Sequence, residues 1–140
     1  MRRVFAGLAI LLLLIVLAEF YFSAAGAASS APRAEAYRPH HALGYVIFFV
    51  PVVMIVVAVL ARMPLRFVGL PALIAGLTAV QVLITEVTKG LGDTFGSVIF
   101  GLHAVNGVVI LAVAAVIVGS ARTVAVSPAA ADIAQPANRG

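Results

Sequence analysis

Two short segments of this sequence carry a histidine and a glycine at the same spacing. His40 is followed four residues later by Gly44, and His103 is followed four residues later by Gly107. On an α-helix, residues four apart lie on one face, so each histidine shares a face with a glycine. A second histidine, His41, adjoins the first of these segments.

An acidic residue precedes each histidine segment in the apolar stretch before it. Glu19 lies upstream of the first segment, and Glu86 lies upstream of the second. Ala-Gly-Leu also occurs early in both stretches, at 6–8 and at 75–77. These matches predict an internal repeat of a two-helix unit, in which one helix carries a glutamate and the next carries a histidine.

The histidines and glycines suit a b-type haem held between helices. Two histidines on neighbouring helices are the usual ligands of such a haem in a helical bundle. A glycine one turn along leaves room for a flat macrocycle near the backbone. The predicted cofactor is therefore haem b, and the predicted cofactor-binding residues are His103, His40, His41, Gly44 and Gly107, with His103 and His40 as the iron ligands and His41 as the alternative to His40.

The remaining polar residues allow other interpretations. Glu19, Glu86 and Asn106 can orient the histidines through hydrogen bonds, because metal-bound histidines usually have such partners. The glutamates and histidines can instead form a metal or proton site without porphyrin. Hydrogen bonding and tight packing between helices is a third interpretation. The chain contains no cysteine, which excludes thiolate ligands and covalent c-type haem.

The candidate residues lie in or beside apolar segments long enough to cross a bilayer. Of the 140 residues, 64% are hydrophobic and 10% are charged, whereas soluble domains carry about a quarter charged residues. Four stretches of near-membrane length predict spans at about 4–26, 40–61, 67–88 and 98–121. We predict an all-α, up-down-up-down, four-helix transmembrane bundle over residues 1–121. Residues 122–140 are predicted to be a disordered cytoplasmic tail.

Basic residues beside the spans predict the orientation. Six arginines fall on one side of the predicted bundle and three basic residues on the other, so the richer side is assigned to the cytoplasm with both termini. The histidines and glutamates then lie in the outer third of a multi-pass protein of the cell membrane. Abundant Ala, Val and Gly with a single lysine indicate a bacterial source. An alternative for the first span is a signal peptide cleaved near Ala25-Gly26-Ala27.

The two histidine motifs resemble those of known membrane proteins. His40 to Gly44 and Leu102 to Gly107 resemble the return helices of a family of small, uncharacterised four-span bacterial membrane proteins, over about residues 4–121. The arrangement also looks like one half of a haem A synthase, in which the second and fourth helices carry haem-ligating histidines. That resemblance implies ligand roles for His40 and His103.

Three functions remain open from the sequence. The first is haem binding for electron transfer, the second is a non-catalytic accessory subunit of a membrane complex, and the third is the metal or proton site. The predicted partners are the lipid bilayer and either other membrane subunits or a redox partner. Basic residues are not interleaved with aromatic ones, so nucleic acid is not a predicted partner. No catalytic residue is predicted, and enzymatic activity stays undecided.

Overall fold

The chain folds into a bundle of helices. The computed structural model describes the backbone of residues 1–133 and the side chains of residues 1–92 and 94–123. Within these residues it contains no strands, and its helices are α1 (Arg2–Ala28), α2 (Arg33–Ala36), α3 (Arg38–Leu60), α4 (Arg66–Lys89) and α5 (Asp93–Ile133). Helices α1, α3, α4 and the Thr94–Thr123 part of α5 are long and apolar enough to cross a membrane. The prediction of an all-α bundle with four membrane-length helices is confirmed.

The helix ends differ from the predicted spans mainly at α2 and α5. The four-residue helix α2 lies in a segment for which the sequence analysis predicted no helix. Helix α5 begins at Asp93 and continues to Ile133, past residue 122, where the sequence analysis began a disordered tail. Alanine, which is common in this stretch, is the strongest helix former. The rest of the predicted tail, residues 134–140, lies outside the described residues.

The four long helices stand at the corners of a square. Helix α1 packs against α3 and α5, and α4 packs against the same two helices. The backbones of the diagonal pairs, α1 with α4 and α3 with α5, do not approach each other within the described residues. Residues from diagonal helices can therefore meet only through their side chains, in the centre of the bundle.

One end of the bundle centre is filled by apolar side chains. The end of the bundle where Arg2, Arg62 and Arg66 lie is called the arginine end here. The rings of Phe5 and Phe67 meet near this end, edge to face, with their centroids 5.4 Å apart across the α1–α4 diagonal. The buried apolar core continues from them toward the middle of the bundle through Leu12, Met54, Ala58, Ile74, Ala114 and Ile117.

A tight turn connects α3 to α4 at the arginine end. The N–H of Met63 donates to the carbonyl of Ala58 at 2.9 Å, and the N–H of Arg62 donates to that of Val59 at 3.0 Å. These two bonds form the Schellman motif that ends many helices. Arg62 has φ 48°, in the left-handed region that glycine usually occupies. The turn reverses the chain, so α3 and α4 are antiparallel neighbours.

Candidate functional site

Two histidines meet in the centre of the bundle at the end opposite the arginines, which is called the histidine end here. His40 lies in the first turn of α3, and His103 lies in α5. Their ring centroids are 6.1 Å apart, and the ring planes are inclined by 52°. Because α3 and α5 are diagonal helices, this contact crosses the bundle centre. His40 and His103 are thus brought together by side chains alone.

Glu19 of α1 lies beside the first histidine. Its Oε1 is 3.0 Å from Nδ1 of His40, and each side chain is 17% exposed. The two atoms are within hydrogen-bonding distance, but Nδ1 of His40 has no hydrogen-bond partner. The two groups are therefore not aligned for a hydrogen bond. The contact is therefore a close polar approach between α1 and α3.

Gln81 of α4 stands beside the second histidine. Gln81 borders Gly107, one turn after His103, as Glu19 borders Gly44, one turn after His40. The sequence did not group Gln81 with the histidines, because Glu19 was paired with Glu86. The spacing of the histidines could have indicated Gln81. His103 follows His40 by 63 residues, and the position 63 residues after Glu19 is residue 82, next to Gln81.

The two predicted glycines face these polar side chains. A Cβ atom at Gly44 would lie 3.8 Å from Oε1 of Glu19, and a Cβ atom at Gly107 would lie 3.5 Å from Nε2 of Gln81. The space beside both glycines was predicted to hold a macrocycle. In the structure, the side chains on the adjoining helices border that space.

The four residues Glu19, His40, Gln81 and His103 are called the polar cluster here. Each comes from a different long helix. Among the described residues, four buried side-chain atoms have no hydrogen-bond partner, and all belong to this cluster: Oε2 of Glu19, Nδ1 of His40, Oε1 of Gln81 and Nδ1 of His103. Buried polar atoms without partners are uncommon because each costs about 1–3 kcal/mol. Their concentration at one point marks a candidate binding site.

Aromatic rings border both histidines. The ring of Phe100, one turn before His103 on α5, stacks on it with centroids 5.1 Å apart. Tyr37 meets His40 edge to face at 5.9 Å. Tyr37 also packs on Gly26, where a Cβ atom would lie only 3.1 Å from the tyrosine ring. These contacts restrict the rotation of both imidazoles.

Three other predicted residues lie apart from the polar cluster. His41 is exposed and stacks on Tyr37 rather than facing His103. Glu86 pairs with Lys89 at 2.6 Å on the surface of α4, where its side chain is 59% exposed. Asn106 donates from Nδ2 to the carbonyl of Leu77 at 2.8 Å, which joins α5 to α4. His40, rather than His41, is therefore the histidine that the structure brings to His103.

The donor atoms of the cluster limit its chemistry. Two imidazoles, one carboxylate and one amide can bind a group that needs two nitrogen ligands, or can exchange protons. Within the described residues, no three His, Cys, Asp or Glu side chains are grouped so that they could hold a metal ion.

Comparison with known proteins identifies a family. Residues 19–89, which are 71 of the 140 residues and just over half of the chain, match a family of unknown function, DUF6220. The chain belongs to the DUF6220 family. The part that matches DUF6220 contains Glu19, His40 and Gln81, and it ends before His103. No curated protein and no solved structure matches the chain, so the predicted likeness to a haem A synthase has no support from these comparisons.

Proposed function

We propose that this DUF6220 protein is a membrane protein that binds one b-type haem through His40 and His103 and takes part in electron transfer. The observation that carries the proposal is the 6.1 Å separation of the two ring centroids across the bundle diagonal. With metal–imidazole bonds of about 2.0–2.1 Å, two imidazoles that held one iron between them would have ring centroids roughly 6 Å apart. The spacing of the rings therefore suits a shared iron.

The set of donors favours haem over a bare ion. The porphyrin of a haem supplies four nitrogen ligands, so two imidazoles complete its coordination. A bare zinc or iron ion needs three or four protein ligands, and no such group of acidic, histidine or cysteine side chains lies within the described residues. A bound b-type haem would supply reversible one-electron chemistry at this point in the bundle.

The neighbours of the histidines suit a ligand role. A ligating histidine usually donates its second ring N–H to a carboxylate or a carbonyl, and this leaves the other nitrogen for the metal. Glu19 lies 3.0 Å from Nδ1 of His40, which leaves Nε2 as the atom for iron. The proposal also requires the side chains of Glu19 and Gln81 to turn away from Gly44 and Gly107, because they now border that space.

A visible absorption spectrum tests this proposal directly. Protein purified in detergent from haem-replete cells is expected to show the Soret band of a low-spin haem. His103→Ala and His40→Ala should each abolish or convert that spectrum. His41→Ala is the matched control, because it removes the adjacent, exposed histidine, and it should leave the spectrum unchanged. Colourless protein that also fails to take up added hemin would contradict the proposal.

Two other functions predicted from the sequence compete with haem binding. The close approach of Glu19 and His40 supports a proton or cation site without porphyrin. Stoichiometric zinc, copper or iron in colourless protein, lost in Glu19→Leu, would favour that site. The accessory-subunit hypothesis instead predicts that partner subunits co-purify with the protein and that histidine substitutions have little effect.

We also propose that both termini face the cytoplasm, so that the arginine end lies inside and the histidine end outside. The chain contains no cysteine, which makes single-cysteine labelling straightforward. Leu65→Cys, in the exposed α3–α4 turn, should be shielded from an impermeant thiol reagent in intact cells. Ser30→Cys, in the exposed α1–α2 connection, should be labelled. The reverse pattern would overturn the orientation.

A further inference from the structure

We infer that Glu19 and Gln81 are equivalent positions of a duplicated helix pair, and that each positions the histidine of its own pair. The first pair is α1 with α3, and the second is α4 with α5. In this arrangement Glu19 orients His40, and Gln81 orients His103. The consequence for redox chemistry rests on the proposed haem function, whereas the orientation of the two histidines does not.

Matching contacts in the two helix pairs support the equivalence. In each pair, the histidine and the polar residue lie on neighbouring long helices that pack against each other. The glycine one turn after the histidine also faces the side chain of that residue, Glu19 at Gly44 and Gln81 at Gly107. Each side chain has one buried oxygen without a hydrogen-bond partner. In both pairs, the polar residue therefore lies on the preceding long helix, its side chain faces the glycine, and one of its oxygens lacks a hydrogen bond.

Sequence positions agree with this pairing. His103 follows His40 by 63 residues, Gly107 follows Gly44 by 63, and Gln81 follows Glu19 by 62. A difference of one residue is easily accommodated by the loops, because the two pairs are separate helical hairpins. Glu86 follows Glu19 by 67 residues, which places it more than one turn further along α4.

The two equivalent positions differ in whether the side chain can ionise. Glu19 carries a carboxyl group, whereas Gln81 carries a neutral amide, so Glu19 is the one acidic member of the polar cluster. A carboxylate near Nδ1 of a ligating imidazole increases the basicity of that ligand and stabilises the oxidised metal. Glu19 is therefore expected to lower the reduction potential of a haem at this site, through His40. Gln81 orients His103 without adding charge.

Exchange of the two side chains tests the equivalence. The midpoint potential of the bound haem is measured for wild type, Glu19→Gln, Gln81→Glu and the double variant that carries both changes. Glu19→Gln should shift the potential to more positive values, and Gln81→Glu should shift it to more negative values. The double variant should return close to wild type. Glu86→Gln is the matched control, because it removes a carboxylate outside the cluster, and it should cause little shift.

Two results would overturn the inference in haem-loaded protein. One is a potential that Glu19→Gln and Glu86→Gln change equally, since Glu19 would then act only through total charge. The other is a double variant that behaves like Glu19→Gln alone, since the two positions would then not be equivalent. Both results presuppose a wild-type haem spectrum, so they are separate from failure of the haem proposal itself.

A second measurement applies to protein without haem. Nitrogen-15 NMR of labelled histidine reports which ring nitrogen carries the proton. Glu19→Leu should change the tautomer signature of His40 and leave that of His103 intact, and Gln81→Leu should have the opposite selectivity. His41 provides an internal reference, because it lies outside the cluster. Unchanged signatures in both variants, or equal changes at both histidines, would overturn the inference even if no haem binds.

Discussion

The two ends of the bundle centre differ in the side chains that bring diagonal helices into contact. At the arginine end, Phe5 and Phe67 close the α1–α4 diagonal with an edge-to-face contact at 5.4 Å. At the histidine end, His40 and His103 close the α3–α5 diagonal at 6.1 Å. The phenylalanines have no polar atom to satisfy. The polar cluster leaves four buried atoms without hydrogen bonds.

This difference separates the part of the molecule that stabilises the bundle from the part that is available for function. Apolar side chains at the histidine end would pack without the cost of about 1–3 kcal/mol for each unsatisfied atom. Ionisable residues among membrane-spanning helices generally mark ligand or proton sites. The polar cluster therefore carries a cost in unmet hydrogen bonds that the apolar core does not.

The largest effect on stability is expected in the apolar core. Phe67 is fully buried, so Phe67→Ala should lower the free energy of unfolding by about 3–5 kcal/mol through lost contacts and a cavity. The measurement is equilibrium unfolding in mixed detergent. Phe95→Ala is the matched control, because that ring is 75% exposed, and it should have little effect. Equal losses at both positions would show that the bundle has no dominant core at Phe67.

A satisfied polar contact near the cluster should have a moderate effect. Asn106 bonds to the carbonyl of Leu77 on the adjacent helix, and hydrogen bonds between membrane helices average about 0.6 kcal/mol, with a maximum near 1.7. Asn106→Leu should lower the unfolding free energy by an amount in this range in the same assay. Asn106→Gln, which keeps the amide, is the conservative comparison and should lose less. A larger loss in the Gln variant would contradict the bond as the source of stability.

The polar cluster itself should contribute little to the stability of the haem-free protein. Replacement of both histidines, in His40→Leu/His103→Leu, removes two buried atoms that lack hydrogen bonds. Because neither nitrogen makes a hydrogen bond, the replacement breaks none. We expect the unfolding free energy to stay within about 1 kcal/mol of wild type, while any haem spectrum disappears. A loss comparable to that of Phe67→Ala would place the histidines in the stabilising core instead.

The sequence predicted the number of long, apolar helices, because the length and apolar composition of a span follow from bilayer thickness. It also selected Glu19, His40 and His103, since ionisable residues stand out in apolar segments. It did not group Gln81 with the histidines and grouped Glu86 with them instead. The reason is physical: these helices are apolar on every side, so the sequence contains little information about which face of each helix turns inward. Packing between helices determines that rotation.

The smallest effect is expected at Glu86, and it tests that difference between sequence and structure. A hydrogen bond from Glu86 to His103 would make Glu86→Leu more harmful than Glu86→Gln. In the structure, Glu86 instead pairs with Lys89 one turn along an exposed helix face, and such surface pairs contribute at most a few tenths of a kcal/mol. We therefore expect the Gln and Leu variants to have equal thermal stability in detergent and the same haem spectrum as wild type. A selective loss in the Leu variant would instead bring Glu86 into the polar cluster, and the boundary between the cluster and the surface of α4 would have to be redrawn.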